Sequence, residues 1–378
     1  VQATDTQPAA SPPASRAPLA DWLRLSLTPR VGLLTARRLL ADFSSPTAIF
    51  AAGHGGLPGW LNAAQARALA SAASGETADA VAVQLDAIDS WLRLPARRVL
   101  ALDDPDYPPA LRAIPDAPLL LYVQGRAELL ARDALAMVGS RNASAQGASN
   151  ARQLAEALSG TGLVIVSGLA LGIDAAAHEG GLLGGGGTVA VLGTGVDVIY
   201  PQRNAGLAGR IAEHGCLVSE LPLGTVPRSS NFPKRNRIIS GLARAVLVVE
   251  AAAGSGSLIT ARLALDQGRD VYAIPGSIHA TLAKGCHALI KEGARLVESA
   301  DDVLAALAGQ APGVAGAAPD DSFIDPLLAA LGGDPASPEL LALRRGLDLP
   351  AVQNQLLALE LAGLVERLPG GLFQRCGR

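Results

Sequence analysis

Apolar and polar positions change period along this chain, and the changes divide it. From residue 21 to about 75 the apolar residues recur at helical spacing. The run includes Leu27-Thr-Pro-Arg-Val-Gly-Leu-Leu-Thr-Ala-Arg-Arg-Leu-Leu-Ala-Asp-Phe43, where a turn at Pro29 to Gly32 leads into an amphipathic helix. This is the outline of a helix-hairpin-helix, whose tight turn can offer backbone N–H groups to a phosphate. Arg30 stands where a second glycine is expected, so a packing role for the turn is weighed ahead of DNA contact. A helical connector follows, then a proline-rich stretch, Asp103 to Gly125. In it Tyr107-Pro-Pro-Ala-Leu reads as an extended lead-in and Leu119 to Val123 as a buried strand.

From Ala134 to about Leu307 the period alternates between strand and helix. Short apolar runs fall at Ala134–Val138, Leu163–Val166, Thr188–Leu192, Cys216–Ser219, Ala245–Val249, Val271–Ile274 and Arg295–Val297, with helical stretches between them. That order predicts an α/β fold with a parallel sheet core and helices on both faces. Ala308 to Asp320 is rich in Gly, Ala and Pro and reads as a flexible linker. Helical patterns near Ile324–Leu331, Pro338–Arg345 and Pro350–Ala362, then Leu364-Val-Glu-Arg, a Pro369-Gly-Gly turn and Leu372-Phe-Gln-Arg, suggest a C-terminal winged helix. The expected units are a disordered tail (1–20), a helical helix-hairpin-helix/SAM-like domain (21–78), the sheet domain (79–308), a linker (309–321) and the winged helix (322–378).

Composition narrows the function classes. A chain of 378 residues that is 49% hydrophobic can bury large cores. Its net charge of -3 excludes coating of nucleic acid by global attraction, so any such contact is local. Three separated cysteines and five histidines give no disulfide framework and no metal-ligand spacing, which fits a reducing cytoplasm. No apolar run approaches the roughly 20 residues of a membrane helix, and the Ala/Pro/Ser-rich start has neither a basic nor an apolar signal region. With only 3 Trp, 4 Tyr and 5 Phe, long rows of stacking rings are ruled out.

Against this background one window stands out. Leu221 to Val249 holds no acid, but it holds Arg228, Lys234, Arg235, Arg237 and Arg244, including one of only three lysines in the chain. Five strand ends also run into Gly/Ser turns: Gly139-Ser-Arg141, Ser167-Gly168 with Gly172-Ile-Asp174, Gly193-Thr-Gly195, Gly254-Ser-Gly-Ser257 and Pro275-Gly-Ser277. In a parallel sheet these turns share one edge with the helix N-termini, where free N–H groups bind anions. No nucleophile–base arrangement, P-loop or three-glycine dinucleotide pattern is present, so neither a catalytic constellation nor a cofactor is expected. His178 is expected to cap or pack, and Asp174 to serve as an N-cap. Glu250 is the other carboxylate with catalytic potential.

At this point the residues carry a resemblance. Tyr107-Pro-Pro-Ala-Leu, Met137-Val-Gly-Ser-Arg, Ser167-Gly-Leu-Ala-Leu-Gly-Ile-Asp-Ala-Ala-Ala-His178, Val191-Leu-Gly-Thr-Gly-Val-Asp197, Tyr200-Pro-Gln-Arg-Asn204, Ser219-Glu-Leu-Pro-Leu-Gly224, Asn231-Phe-Pro-Lys-Arg-Asn-Arg237 and Gly254-Ser-Gly-Ser-Leu-Ile-Thr260 occur in that order. The stretch from about Asp103 to Leu307 closely resembles the DNA-processing protein A family, also called Smf. The resemblance implies an extended Rossmann-like domain that binds single-stranded DNA, a homodimer, help in loading RecA recombinase during natural transformation, and no catalytic turnover. The implied DNA-binding set is Gly139, Ser140, Arg141, Ser167, Gly168, Phe232 as a stacking ring, Lys234, Arg235, Asn236 and Arg237, with no metal or cofactor.

Two other classes compete with this reading. A nucleoside-monophosphate-cleaving enzyme of the lysine-decarboxylase-like group would need paired glycines and a following Glu at Ala253-Gly-Ser-Gly-Ser257, and the helix Leu258-Ile-Thr-Ala-Arg-Leu-Ala supplies none. A duplex-DNA reader would need a basic recognition helix. Pro350 to Ala362 has no basic residue and carries Glu360, so the winged helix is expected to contact protein or act as a regulatory lid.

Overall fold

The computed structural model describes residues 16–309, 326–332, 335–361, 364–368 and 370–375. Residues 1–15 of the expected tail and 310–321 of the expected linker lie outside these. Arg16 to Ala20, expected in the tail, instead open the helix Arg16–Leu27. Leu19, Trp22 and Leu23 recur at helical spacing and are all buried, which draws the first turn into the fold. This helix packs on Ala78–Leu92, and Leu33–Phe43, Pro46–Ala51 and Ala63–Ala73 complete the N-terminal unit. In the hairpin Arg30 takes the left-handed conformation, φ 66°, that glycine usually supplies. The turn is therefore kept, at roughly 1 kcal/mol of backbone strain.

The sheet comprises β1 (Arg97–Ala101), β2 (Leu120–Gly125), β3 (Ala134–Val138), β4 (Val164–Ser167), β5 (Thr188–Val191), β6 (Cys216–Ser219), β7 (Ala245–Val248), β8 (Asp270–Ala273) and β9 (Arg295–Leu296). Its order is β1-β2-β6-β5-β4-β3-β7-β8-β9. The strands from β3 to β9 are mutually parallel, while β2 joins β6, and β1 joins β2, antiparallel. The sheet is thus an extended Rossmann-like one with an antiparallel margin that strand–helix alternation alone does not predict. Tyr107 departs from the expected extended lead-in. It is buried ahead of the one-turn helix Pro109–Arg112, and its hydroxyl donates to Pro118 O at 2.8 Å.

Alternation along the central strands separates two cores. Ala134, Ala136, Val138, Val164 and Val166 face one side and share their core with Trp22, Leu25 and Trp91 of the N-terminal unit. Leu135, Met137, Ile165 and Leu247 face the other side, against Ala151, Leu158 and Val303. Burial on both faces is why these strands read as unbroken apolar runs. A third core, around Leu328, Leu341, Leu356 and Phe373, belongs to helices Pro326–Leu331, Pro338–Arg345 and Leu349–Leu361 and the hairpin of β10 (Val365–Arg367) and β11 (Phe373–Arg375). This is the winged-helix pattern.

Packing of this kind sets a stability contrast. Leu135→Ala, at a fully buried position, is expected to cost about 2–5 kcal/mol in urea unfolding followed by circular dichroism. Leu343→Ala, at a position 81% exposed, should change stability by about 0.5 kcal/mol or less. Equal effects at the two sites would contradict the assignment of the core.

Candidate nucleic-acid interface

All parallel strands end on one crest. At the end of β3, Ser140 N–H donates to Glu250 O (2.8 Å), and Ser140 Oγ accepts from Asn142 N–H (3.1 Å), which fixes the turn and leaves Arg141 exposed. Gly172 faces this turn with φ 75°, and an added Cβ would strike the Ser140 and Arg141 backbone. Only glycine meets both demands. The Arg141 guanidinium lies 5.9 Å from the Phe232 ring centroid, within cation–π range. Phe232 in turn meets Tyr200, with centroids 5.5 Å apart and planes inclined at 42°. Phe232 can sit there because Gly193 has no side chain: a Cβ would lie 2.7 Å from the ring.

Phe232 and Lys234 belong to the first turn of the helix Asn231–Leu242, which has no side-chain cap and no acidic residue in that turn. Its N-terminal dipole is therefore uncompensated and favours an anion. Lys234 is exposed and lines a groove of about 920 Å³ shared with Gly32 and Thr35 of the hairpin. Arg228, ahead of the helix, and Arg203, beside Tyr200, are exposed as well. Among the described residues, Arg141, Arg203, Arg228 and Lys234 have no carboxylate at ion-pair distance.

The other expected residues serve the interior. Arg235 is 5% exposed, and its guanidinium donates to Gly168 O (2.7 Å) and to Val191 O, with Asp174 as its countercharge. Burial pushes its pKa down to about 10, which still leaves it charged at neutral pH. Arg237 forms a bidentate pair with Glu220 (2.5 and 3.1 Å) and a second pair with Asp116 (3.0 Å). Asn236 Oδ1 accepts from Arg235 (3.3 Å). Ser167 Oγ donates to Met137 O (2.6 Å), tying β4 to β3, and Gly168 N–H donates to Asp174 (3.1 Å). The crest therefore brings together Arg141, Phe232 and Lys234, supported by Gly139 and Ser140, and turns Arg235 and Arg237 inward.

Asp174 is not the N-cap of its helix. Gly172 holds that position, and Asp174 accepts from Gly168 and Ala170 in the preceding turn. Burial raises its pKa, opposed by Arg235 and by those two N–H groups. His178 Nε2 accepts from Leu169 N–H (3.3 Å), which assigns the proton to Nδ1, and that atom donates to Thr188 Oγ1 (2.7 Å). Thr188 Oγ1 in turn donates to Ile165 O (2.7 Å). This closed chain makes His178 a packing residue. Glu250 is likewise engaged, accepting from Ser144 N–H (2.9 Å) and Oγ (2.5 Å). Among the described residues no cluster of His, Cys, Asp and Glu could hold a metal, and no helix is long and apolar enough to cross a membrane.

Tyr200 and Arg203 were missed from sequence. Their signal was Tyr200-Pro-Gln-Arg-Asn204 itself, an aromatic and a cation placed between a strand end and a helix. Asn204 anchors that segment to the crest by donating to Leu169 O (2.9 Å) and Ala170 O (3.1 Å).

Fold and crest together define an extended Rossmann-like protein with an edge that bears unpaired cations among the described residues and with a winged-helix appendage. Residues 98–308 match the family profile described as DNA recombination-mediator protein A, and residues 310–371 match the DprA winged helix domain. The chain is 44% identical over 293 residues to Protein Smf of Escherichia coli, an alignment covering 74% of this chain and 78% of that protein. It is 52% identical over 204 residues to DNA processing protein DprA of Streptococcus pneumoniae, covering 54% and 72%. The X-ray structure of the Streptococcus pneumoniae protein superposes with a TM-score of 0.65 at 36% identity, covering 78% of this chain and 98% of that one. A Helicobacter pylori DNA processing protein A, described for its single-stranded DNA binding mode, gives 0.50 at 29% identity, covering 53% and 93%. The chain belongs to the DNA-processing protein A (DprA/Smf) family.

Burial of neutral His178 creates a pH dependence of stability. Its pKa is lowered to about 3 by desolvation, with Arg235 adding to the effect, from an ordinary value of 6.5. The unfolded chain binds this proton below about 6.5 and the native chain does not, so the contribution is complete above that pH and declines as pH falls toward 3. Between pH 6 and 4 the native chain should lose roughly 1 kcal/mol more per pH unit than His178→Gln in urea titrations. Parallel pH profiles for the two proteins would contradict the buried neutral imidazole.

Proposed function

We propose that this chain binds single-stranded DNA along the crest, with Arg141 and Lys234 on phosphates and Phe232 and Tyr200 against bases. It protects incoming DNA and places RecA recombinase on it during natural transformation, acting in the cytoplasm as a homodimer without catalytic turnover. The observation that carries this reading is the Arg141–Phe232–Tyr200 cluster beside an uncapped, acid-free helix N-terminus bearing Lys234. The single-strand binding mode described for the Helicobacter pylori relative supports it.

The chemistry favours strand-selective, sequence-tolerant binding. Guanidinium and ammonium groups contact phosphates whatever the base, and exposed Tyr200 with half-buried Phe232 offers ring surface to unstacked bases that a duplex keeps paired. Gly139, Ser140, Ser167 and Gly168 shape the backbone under the strand. Arg235, Asn236 and Arg237 hold the helix in place and contribute to binding through its position.

Fluorescence anisotropy with a labelled single strand and a duplex of equal length tests this directly. The single strand should bind more tightly, with log K falling by about 0.7 per phosphate neutralised for each unit of log salt. Arg141→Ala and Lys234→Ala should each weaken binding by about tenfold without lowering the unfolding midpoint. Arg237→Ala should lower both, because Glu220 and Asp116 lose their partner. Equal affinity for duplex and single strand, or full binding by Arg141→Ala, would remove the site assignment.

The RecA role has a separate assay, filament assembly on strands coated with single-strand-binding protein. The chain should shorten the lag, and Arg141→Ala should not. An unchanged lag with the native chain would remove RecA loading and leave DNA binding standing.

A further inference from the structure

The sheet order contains a switch point. From β3 the chain winds outward through β4, β5 and β6 on one side and then through β7, β8 and β9 on the other, so the loops leaving β3 and β7 diverge. In open α/β sheets the crevice at such a point is a preferred ligand site. Here a cavity of about 650 Å³ lies there, on the far side of β3 from the Phe232 cluster. Its floor is the end of β7 at Glu250 and the turn Pro275–Ser277, and one wall is the start of helix Ala145–Gly160. Its roof comes from the winged helix, through Pro335, Leu368 and Gln374. The volume falls in the range of small-molecule sites, roughly 300–1,000 Å³.

The lining limits what fits. None of the lining residues among those described is Lys, Arg or His, so a phosphate or the carboxylate of a free amino acid finds no countercharge. Glu250 and the hydroxyls of Ser277 and Thr281 can accept donors. Gln146 and Asn150, one helical turn apart, share a hydrogen bond between their amides (2.7 Å). With both amides as placed, or with both turned together, one keeps its oxygen free to accept and the other its NH2 free to donate. An adjacent donor and acceptor is the pattern by which Asn and Gln read the edge of a base. Ile274, Pro275, Leu282 and Leu368 offer apolar surface to its faces.

We propose that this crevice binds an uncharged nucleobase, with Gln146 and Asn150 reading its edge and the winged helix closing over it. The base comes either from a free nucleoside or from the unstacked end of a bound strand, and only the second source rests on the single-strand reading above. The winged helix then acts as a lid, consistent with its lack of basic residues on helix Leu349–Leu361. The cavity is lined by Ala143 and Ser144, which directly follow the turn that carries Arg141, so the two proposed sites are joined through one short segment.

The test uses the full chain, with adenosine, guanosine, cytidine and thymidine as probes in saturation-transfer NMR and calorimetry. At least one nucleoside should bind saturably, and the double variant Gln146→Met/Asn150→Leu should weaken it by about tenfold, the worth of two ordinary hydrogen bonds, with an unchanged unfolding midpoint. Leu368→Ala should also weaken it, and the matching monophosphate should bind no more tightly. For the strand source, an oligonucleotide with an abasic terminus should bind less tightly than the intact one to the native chain and equally to the double variant. Absence of saturable binding by every nucleoside together with no abasic effect, or nucleoside binding unchanged in the double variant, overturns the proposal. Nucleoside binding that survives in Arg141→Ala separates this site from the crest, so loss of strand binding there leaves the free-nucleoside arm intact.

Discussion

The crest depends on one buried guanidinium. Arg235 links two turns that are distant in sequence from its own helix, the one after β4 through Gly168 O and the end of β5 through Val191 O, with the buried Asp174 carboxylate near enough to act as its countercharge. Removing the guanidinium leaves both buried carbonyls without this donor, at a cost of roughly 1–3 kcal/mol for each one left unsatisfied. The linkage also orients the helix Asn231–Leu242, and that orientation carries Phe232 over Gly193 and Lys234 to the surface. Arg237 repeats the arrangement one half-turn on, pinning the same helix to the end of β6 through Glu220 and to the loop before β2 through Asp116.

A run of basic residues is therefore divided by helix geometry into two kinds of charge. Lys234 faces solvent with no carboxylate beside it among the described residues, whereas Arg235 and Arg237 spend their hydrogen bonds on the protein. The positive field at the crest comes from fewer side chains than the composition of the window implies, supplemented by the helix N-terminus and by Arg141 from another strand. The positive charge is thus confined to one edge of a chain whose net charge is -3.

The central strands were legible because burial on both faces makes each a short, uninterrupted apolar run, and β3 and β6 fall where the pattern puts them. β1 escaped because Arg97 and Arg98 are half-exposed at the sheet margin and dilute the apolar signal. The proline-rich Tyr107-Pro-Pro suggests an extended lead-in, yet its prolines lie at the start of a one-turn helix, where they are tolerated. Among site residues, Arg141 was visible as the single cation in a glycine turn. The inward direction of Arg235 and Arg237 was not, because it depends on carbonyls and carboxylates supplied by distant segments. Tyr200 became a site residue only when the fold brought it to Phe232.

The closed chain from Leu169 through His178 and Thr188 to Ile165 fixes the turn between β4 and its helix before any ligand arrives. With Arg235 bracing the same turn from the other side, the crest backbone is ordered in advance, and the freedom left there lies in exposed side chains such as Arg141 and Lys234. On the single-strand reading proposed above, a thymine tract, whose bases stack weakly, costs less to order on such a backbone than an adenine tract already stacked in solution. A rigid surface that reads no base edge can thus acquire a preference among sequences from the mechanics of the strand alone.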